Sequence, residues 1–471
     1  MKSLRGIRLL SAVLLVALMG LASWLPGSRP ASAANQDEFS VMTLNLYLGA
    51  DIIKSMVYFP DLSKVAQDMW TQVAQNDFSR RVEALSARVV PQRPSVLGLQ
   101  EATKWVCLDA KGAEVTVFDF TEQLLARLAA DGVPYQVAQV GNERAVSDGF
   151  GIAPIPGTTV VTDPTVLPSA LGSNSAACGM RLYDVLAVRS DLASQVTAVG
   201  THNYAQTVKF AGLLDIKRGY AWADITIGGR PVHFVTTHLE SYWTRDAEPA
   251  MAAQARELVA DLQAITIPVV AMGDFNADPR DPRPTTAGAN PGGQPEITPF
   301  CADRSCNPYW IMTAAGYTDV GPDANDPANL TWGSDGLLAG ADITRLDAAL
   351  AQGNDLGFTD RLDYVFVRGD VKIVSSALSG DEWPTGAVTW ECDSPAQRAN
   401  TQSVAEKLGI AVPATGRCFG TDHLGVFATL SLPSTASGAS ATGWIIAGVV
   451  LVLVIVGAAI AVLRRRRSPA S

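Results

Sequence analysis

Apolar runs that end in short polar motifs are the dominant pattern along the 471-residue chain. Alternating or continuous apolar residues over about four to eight positions are typical of strands with one or both faces buried. Eight such runs predict strands, at residues 39–46, 94–99, 185–188, 221–227, 232–237, 267–272, 362–367 and 426–432. The Gly228-Gly229 pair between two of these runs suits a hairpin turn.

Helical patterns lie between the strand-like runs. Apolar residues recur at the interval of a helix face over 79–90, 119–130 and 247–264, and Asp246 is a candidate N-cap for the last of these helices. Strands mixed with helices, with several strands adjacent and antiparallel, predict an α/β sandwich built on two sheets.

The polar motifs concentrate where the predicted strands end. They are T-L-N at 43–45, L-Q-E at 99–101, T-T-H-L-E at 236–240, G-D-F-N at 273–276, D-R-L-D-Y-V at 360–365 and T-D-H-L-G-V at 421–426. A rigid core can therefore deliver carboxylates, amides and histidines to one place, while loops admit a substrate. Such a set is what metal-assisted hydrolysis of a phosphoester requires.

Two motifs supply candidate metal and water ligands. Glu101 offers a hard carboxylate oxygen, and Asn45 could add an amide oxygen to the same ion. Oxygen ligands without cysteine favour Mg²⁺ or Mn²⁺. Asp274 and Asn276 stand two residues apart on an extended strand end, so their side chains point the same way. Asp274 can orient the attacking water, and Asn276 can donate to a phosphoryl oxygen.

The remaining motifs supply acid–base groups. Asp422 and His423 place a carboxylate beside an imidazole, and Asp363 could orient His423 from another strand. His238 can donate a proton or a hydrogen bond as negative charge develops. The chain has only two other histidines. His233 alternates with apolar residues as on a strand face, and His202 has no such context.

Both chain ends predict export and anchoring. A basic start, an apolar stretch and the sequence A-S-A at 31–33 are typical of a cleaved signal peptide over 1–33, with an uncleaved anchor as the alternative. Residues 433–442 form a stalk rich in Ser, Ala, Thr and Gly, and 443–463 predict a transmembrane helix before the basic tail 464–471. Those arginines stay cytoplasmic by the positive-inside rule, which puts the catalytic part outside the cell. The sequence L-P-S-T-A at 432–436 also resembles a sortase signal.

Charge and cysteine content agree with this location. The two ends carry eight of the 36 basic residues and none of the 46 acidic ones, so the exported part has a net charge of about −18. No internal basic patch is evident, which argues against tight, sequence-independent binding to nucleic acid. Six cysteines in an exported chain predict disulfides. Six cysteines allow fifteen pairings, and the sequence alone does not choose among them. Cys301 and Cys306 are near enough to close a small loop, whereas Cys107–Cys178 and Cys392–Cys418 are guesses. Metal ligation by cysteine is the weaker alternative, because no C-x-x-C pair occurs.

The order of the motifs resembles the endonuclease/exonuclease/phosphatase superfamily. The resemblance rests on G-D-F-N, D-R-L-D-Y-V and T-D-H in that order, and it covers roughly residues 39–432. It implies a DNase I-like four-layer sandwich of two mostly antiparallel sheets flanked by helices. Because the motifs span most of residues 34–432, we interpret this range as one domain, with insertions predicted at 107–177, 280–309 and 380–420. The implied roles are metal binding by Asn45 and Glu101 with Asp422 beside the metal, water and phosphate positioning by Asp274 and Asn276, a general-base dyad of His423 with Asp363, and an additional catalytic histidine, His238.

The branch of the superfamily stays open between two substrates. Ala277-Asp278 after G-D-F-N departs from the Tyr-Arg of inositol phosphatases, and export together with His238 disfavours the DNA-repair branch. A nuclease and a sphingomyelinase-like lipid phosphodiesterase remain, and Arg181 and Tyr183 are candidate phosphate contacts in either. A surface binding protein that kept the fold and lost its activity is the alternative from another class.

Aromatic residues bear on the lipid hypothesis. Tyr47, Tyr242, Trp243 and Trp383 are candidates for contact with a membrane surface, or else for packing inside the protein.

Overall fold

The structure, a computed structural model, describes residues 37–161, 171, 173–210, 214–241, 247–282, 301–380, 383–384, 386 and 388–433. In chain order the strands are β1 Glu38–Asn45, β2 Val96–Gln100, β3 Lys104–Leu108, β4 Glu114–Asp119, β5 Tyr135–Val137, β6 Gln139–Val140, β7 Glu143–Arg144, β8 Val146–Ile152, β9 Thr159–Val161, β10 Ser175–Arg189, β11 Val196–Asn203, β12 Val208–Phe210, β13 Leu214–Ile216, β14 Gly219–Ile227, β15 Arg230–His238, β16 Val269–Asp274, β17 Thr318–Asp319, β18 Asp363–Arg368, β19 Lys372–Ser379, β20 Thr389–Cys392, β21 Gly416–Phe419 and β22 Gly425–Ser431. The helices are α1 Ile52–Ser55, α2 Leu62–Asn76, α3 Phe78–Val89, α4 Phe120–Ala130, α5 Ala247–Gln263, α6 Pro308–Ala314, α7 Leu346–Gln352 and α8 Pro395–Leu408.

All eight predicted strands and all three predicted helices are present. They correspond to β1, β2, β10, β14, β15, β16, β18 and β22, and to α3, α4 and α5. The largest difference is β10, which extends far beyond the predicted 185–188 because it is the strand on which five others pair. Asp246, the predicted N-cap of α5, lies outside the described residues.

The strands form two large sheets that are mostly antiparallel. The first has the order β19-β22-β1-β2-β10-β3-β4, with β5, β8 and β9 also paired to β10. The second has the order β11-β14-β15-β16-β18-β17. Within each sheet one neighbouring pair is parallel, β1 with β2 and β15 with β16. These two parallel pairs place the carboxyl ends of four strands at the same edge of the sandwich.

The two sheets pack face to face without a gap. Gly98 of β2 lies so close to the second sheet that a Cβ atom built on it would stand 2.7 Å from Met272 Cγ. Beside it, Gln100 Nε2 donates to Thr236 Oγ1 at 2.7 Å, and Thr43 Oγ1 donates to Gln100 Oε1 at 3.0 Å. This polar chain through the middle of the sandwich fixes the position of β2 next to β15.

Helices cover the outer face of each sheet. The apolar faces of α2, α3 and α4 pack on the first sheet, with Trp70, Leu85 and Phe120 fully buried. α5 and α6 cover the second sheet, where Leu258 and Met312 enter the core. The predicted four-layer arrangement, helix on sheet on sheet on helix, is confirmed.

The predicted insertion at 380–420 carries ordered structure of its own. It contributes the antiparallel pair β20 and β21, helix α8 between them and the Cys392–Cys418 disulfide to a third apolar cluster. Ser394 and Gln397 form a reciprocal capping box at the start of α8. This capping pattern, Ser followed three residues later by Gln, is visible in the sequence and indicates the start of a helix.

All three predicted cysteine pairs are disulfide-bonded. Besides Cys392–Cys418, Cys107 is bonded to Cys178 across β3 and β10, and Cys301 to Cys306 within a short loop. The described part of the chain has no free cysteine. The pairing agrees with an oxidising compartment.

The predicted terminal segments lie outside the described residues. This applies to 1–33, to 443–463 and 464–471, and to all but Leu432 and Pro433 of the sortase-like sequence. Among the residues that the structure describes, no helix is long and apolar enough to cross a membrane. The described residues up to Ser431 form one compact unit.

Candidate active site

The predicted site residues meet where the strands of both sheets end. Asn45 and Gln100 are register partners at the ends of the parallel pair β1 and β2. His238 and Asp274 are partners at the ends of β15 and β16, and Asp363 faces Asp274 at the start of antiparallel β18. Because the sheets are packed face to face, these two rows of side chains converge on one edge.

Asp274 is the centre of this cluster. Its Oδ2 accepts a hydrogen bond from Asn45 Nδ2 at 3.0 Å, and it lies 3.5 Å from His238 Nε2 and 3.7 Å from His423 Nε2. Its Oδ1 accepts from the backbone N–H of Asn276 at 2.9 Å. Burial raises the pKa of Asp274 to about 7. One carboxylate thus faces both imidazoles and is fixed from both of its oxygens.

His423 is oriented by Asp363. Its Nδ1 lies 2.8 Å from Asp363 Oδ2, so the ring donates there and turns Nε2 toward Asp274. Burial alone would lower the pKa of His423. The neighbouring carboxylates, Asp363 first among them, outweigh burial and raise this pKa well above its usual value.

His238 is oriented by an arginine that the sequence motifs do not contain. Arg218 Nη1 lies 3.0 Å from His238 Nδ1, and Arg218 Nη2 lies 3.4 Å from Glu240 Oε1. An arginine only donates, so Nδ1 must accept and the ring proton is on Nε2, the atom that faces Asp274. Burial first, and then the charge of Arg218, lowers the pKa of His238 well below its usual value. His238 is therefore a neutral hydrogen-bond donor.

Asn276 is positioned for a different contact from its neighbours. One N–H of its side-chain amide donates to Leu239 O at 2.9 Å, and the residue is only partly buried. The second N–H of an amide of this kind is available for a ligand. The backbone angle φ is positive at Asn276 (50°), at Glu101 (53°) and at Tyr47 (55°). Left-handed backbone at three residues of one site is costly and indicates a functional constraint.

Glu101 and Asp422 bring further negative charge to the cluster. Glu101 Oε2 accepts from the backbone N–H of Leu48 at 2.6 Å, and Asp422 Oδ2 accepts from Trp332 Nε1 at 3.3 Å. Burial and then the Asp422 carboxylate raise the pKa of Glu101. Asp422 Oδ1 also lies 3.9 Å from His423 Nε2. Both carboxylates therefore belong to the same electrostatic cluster as the two histidines.

Asp184 joins the site from β10, whereas the predicted contacts Arg181 and Tyr183 do not. Ser147 Oγ donates to Asp184 Oδ2 at 3.3 Å, and Asp184 Oδ1 lies 4.0 Å from His238 Nδ1. Burial raises the pKa of Asp184 to about 8. Arg181, in contrast, pairs with Glu114 at 2.7 Å. Side chains alternate along β10, so Arg181 and Tyr183 lie on the half-buried face and Asp184 lies on the opposite, buried face.

The other two histidines lie in separate environments. His233 is buried on β15 and its Nδ1 lies 2.7 Å from Asp224 Oδ1, as expected for a strand-face residue. His202 pairs with Glu257 at 2.7 Å near α5.

The sequence matches the model of the Endonuclease/Exonuclease/phosphatase family over residues 42–423, which is most of the chain. The chain belongs to this family. Membership places it among the phosphoester hydrolases that depend on divalent metal ions. No curated protein matches the sequence.

Several solved structures are similar to this chain. An endonuclease/exonuclease/phosphatase from Beutenbergia cavernae DSM 12333 is 17% identical with a TM-score of 0.43, covering 84% of this chain and 72% of that chain. A family protein from Leptotrichia buccalis C-1013-b is 12% identical with a TM-score of 0.43, covering 83% and 98%. Truncated Caenorhabditis elegans TDP2 is 15% identical with a TM-score of 0.37, covering 84% and 97%.

The residues of this endonuclease/exonuclease/phosphatase member fit a divalent cation. Buried carboxylates lie close together, and Oδ1 of Asp184 and Oδ1 of Asp363 have no hydrogen-bond partner within the described ranges. Grouped anionic oxygens of this kind repel each other unless a cation neutralises them. Carboxylate and imidazole atoms of Asp274, Asp363 and His423 also lie within 4.8 Å of one another. Oxygen-rich ligation is the kind that Mg²⁺ and Mn²⁺ prefer.

Proposed function

We propose that the chain is a Mg²⁺- or Mn²⁺-dependent phosphodiesterase in which a water molecule activated by His423 attacks phosphorus. The observation that carries this proposal is the continuous arrangement Asp363–His423–Asp274. Asp363 Oδ2 lies 2.8 Å from His423 Nδ1, and Nε2 of the same ring lies 3.7 Å from Asp274 Oδ2. A water molecule bound beside these two atoms would have one group to orient it and one to accept its proton.

The donors on the other side of the cluster act on the phosphate. His238 Nε2–H and the second amide N–H of Asn276 can donate to phosphoryl oxygens as their charge increases. Arg218 keeps the His238 proton on Nε2, because it occupies Nδ1. Asn45 holds Asp274 in place through its amide N–H.

Glu101, Asp422 and the amide oxygen of Asn45 would hold the metal ion. When bound, the ion supplies charge neutralisation on the phosphate and on the leaving oxygen. Glu101 and Asp422 are the less buried carboxylates of the cluster, which leaves them accessible to an ion that also contacts substrate. The left-handed backbone of Glu101 directs its carboxylate toward the β1 end, where it accepts from Leu48.

We infer the location and substrate class from the sequence. The predicted signal peptide 1–33 and the predicted spanning segment 443–463 support an enzyme held at the outer cell surface, either by a transmembrane helix or by sortase processing at 432–436. The substrate is a nucleic acid or a phospholipid headgroup. The acidic exported part and its lack of a basic patch favour a substrate bound through the metal ion instead of through a cationic surface.

One assay tests this function. The full chain in detergent, supplied with Mg²⁺, is incubated with plasmid DNA, with sphingomyelin vesicles and with bis-p-nitrophenyl phosphate. Hydrolysis of any diester that EDTA abolishes supports the proposal. DNA cleavage alone assigns a nuclease, and phosphocholine release assigns a lipid phosphodiesterase. If none of the three substrates is hydrolysed, the result contradicts the proposal and favours an inactive binding protein.

A further inference from the structure

The segment between β1 and α2 exposes a run of apolar side chains to solvent. Val57 is 74% exposed, Tyr58 and Leu62 are each 44% exposed, and Phe59 is 43% exposed. Nine large apolar residues are exposed in the described part of the chain, and four of them lie within these six positions. We call residues 57–62 the apolar knob. Single exposed apolar residues are ordinary, but a cluster of them indicates an interaction surface.

The residues that precede the knob are anchored to the protein core. Ile52, Ile53 and Met56 pack against the core of the first sheet. Ser55 Oγ donates to Asp68 Oδ2 at 2.8 Å, and Gln72 Nε2 donates to Ser55 Oγ at 3.2 Å. The apolar side chains beyond Met56 therefore cannot fold back into the core, because the sites beneath them are already filled.

The knob lies a short distance along the chain from the candidate active site. Tyr47 and Leu48, which follow the end of β1, bond to Asn45 and Glu101. Asp51 caps α1 just after them, and its backbone N–H donates to Gln72 Oε1 at 2.9 Å. Residues 47–56 thus connect the strand ends that carry Asn45 and Glu101 to the exposed apolar side chains.

The composition of the knob suits one kind of partner. Tyr58 is of an aromatic type enriched in the interfacial layer of a bilayer, and Phe59 and Val57 add apolar side chains that can enter the headgroup–acyl boundary. Lys54 and Lys64, both exposed, stand on either side of it. Of the four aromatic residues that the sequence offers for membrane contact, Tyr47 and Trp383 are buried, and Tyr242 and Trp243 lie outside the described residues.

We propose that the apolar knob is a docking surface that inserts into the interface of a lipid bilayer with zwitterionic headgroups. The exported part carries a net charge of about −18, so strongly anionic bilayers would repel it, and apolar insertion has to supply the affinity. Docking would hold the neighbouring active site at the depth of lipid headgroups. This proposal goes beyond the proposed phosphodiesterase activity, because docking does not require turnover.

Fluorescence at the knob tests the docking surface directly. All cysteines of the described chain are in disulfides, so Val57→Cys adds a single thiol for an environment-sensitive dye. The full chain in phosphatidylcholine nanodiscs is mixed with phosphatidylcholine vesicles, and both contain acyl chains brominated near the headgroup. Val140→Cys, a valine that is 41% exposed on the hairpin of β6 and β7, is the matched control.

Bilayer insertion predicts that bromine quenches the dye at position 57 and not at position 140. Equal, negligible quenching at both positions would overturn the proposal, and it is also the result expected if the knob binds a second copy or another protein.

A second experiment rests on the proposed function and connects docking to it. The variant Val57→Ser with Phe59→Ser changes only exposed side chains, so its melting temperature should match that of the wild type. We expect its hydrolysis of vesicle-borne headgroups to fall several-fold, while hydrolysis of soluble bis-p-nitrophenyl phosphate stays unchanged. An equal rate on vesicles would count against docking. If the wild type hydrolyses neither substrate, the proposed function fails, and the quenching experiment still decides the docking surface.

Discussion

The two histidines of the site face the same carboxylate with opposite hydrogen-bonding roles. Nδ1 of His423 donates to Asp363, so Nε2 is the atom that accepts a proton when the ring is neutral. Nδ1 of His238 accepts from Arg218, which leaves Nε2–H as a donor. Asp274 Oδ2 lies between them, at 3.7 Å and 3.5 Å. One ring can therefore take a proton from water, while the other stabilises negative charge.

Replacement of the accepting histidine should remove turnover. We expect His423→Ala to lower kcat by about 100-fold to 10,000-fold, because general-base catalysis contributes about that much. The measurement is the steady-state rate on bis-p-nitrophenyl phosphate with saturating Mg²⁺. His202→Ala is the matched control, since His202 also pairs with a carboxylate but lies outside the cluster. Unchanged turnover in His423→Ala would remove this residue from the mechanism.

Replacement of the arginine should change the tautomer of the donating histidine. Arg218→Met leaves His238 Nδ1 without its donor, so a mixture of tautomers should appear in the imidazole ¹⁵N spectrum, where the wild type shows Nε2–H alone. We expect kcat to fall by about 100-fold, as for other misplaced catalytic groups. Arg218→Lys restores one donor and should recover part of the rate. An unaltered imidazole spectrum in Arg218→Met would show that the arginine does not set the tautomer.

Residue type and position at a strand end were enough to predict eight members of the cluster, because few residue types can bind metal or move protons. Arg218 and Asp184 were missed for a physical reason. Each is a single charged residue without a motif, and only pairing between strands brings it to the site. Arg181 and Tyr183, the contacts that the family resemblance implies, lie on the opposite face of β10 from Asp184, and the sequence does not show which face of this strand meets the site.

At the scale of elements, a short bridge orders the catalytic loops. Thr331 Oγ1 accepts the backbone N–H of Leu362 at 3.0 Å and that of Asp363 at 3.3 Å. Its neighbour Trp332 forms a β-bridge with His423 and donates through its indole to Asp422. This segment therefore connects the start of β18 to the loop before β22, and it holds the Asp363–His423 pair in place.

Removal of the Thr331 hydroxyl should weaken both stability and turnover. Thr331→Val keeps the shape but leaves two buried N–H groups without an acceptor, which costs about 1–3 kcal/mol for each unsatisfied group. We expect a lower denaturation midpoint in urea and a lower kcat, because Asp363 loses its backbone anchor. Thr331→Ser retains the oxygen and should behave almost as the wild type. Equal stability of the valine and serine variants would refute this account.

The elements differ in how far the sequence predicts them. Central strands are buried on both faces, so their apolar runs are visible without any knowledge of their partners. Helix α2 was missed although Asp61 caps it, and α8 was missed within a stretch that we had interpreted as an insertion. Both helices pack on surfaces that exist only once the sheets have formed. Strand order and the parallel pairs depend on such long-range contacts and cannot be read from local patterns.

At the scale of the whole molecule, the sandwich collects negative charge at one edge. Carboxylates from both sheets are buried there, and the pKa values of Asp184 and Asp274 are raised to about 8 and about 7. Burial disfavours the charged forms, so the metal-free fold is destabilised as pH rises through these values. A protein that keeps such a cluster gains stability when a cation binds, because the same charges then become ligands.

Metal binding should therefore be visible as stability, without any substrate. A ligand that binds only the folded state stabilises it by about 2.7 kcal/mol at 100 times its Kd. We expect Mg²⁺ or Mn²⁺ to raise the melting temperature of the EDTA-treated chain by a few degrees at pH 8, where the carboxylates are charged. Glu101→Gln keeps an acceptor for the Leu48 N–H but removes a ligand charge, so it should abolish most of this increase. Binding of the ion elsewhere on the protein would raise the melting temperature of the wild type and of Glu101→Gln equally. Glu114→Gln, which changes the exposed pair with Arg181, should respond as the wild type does. A wild type whose melting temperature and activity are both insensitive to EDTA would exclude a metal ion from this edge of the sandwich.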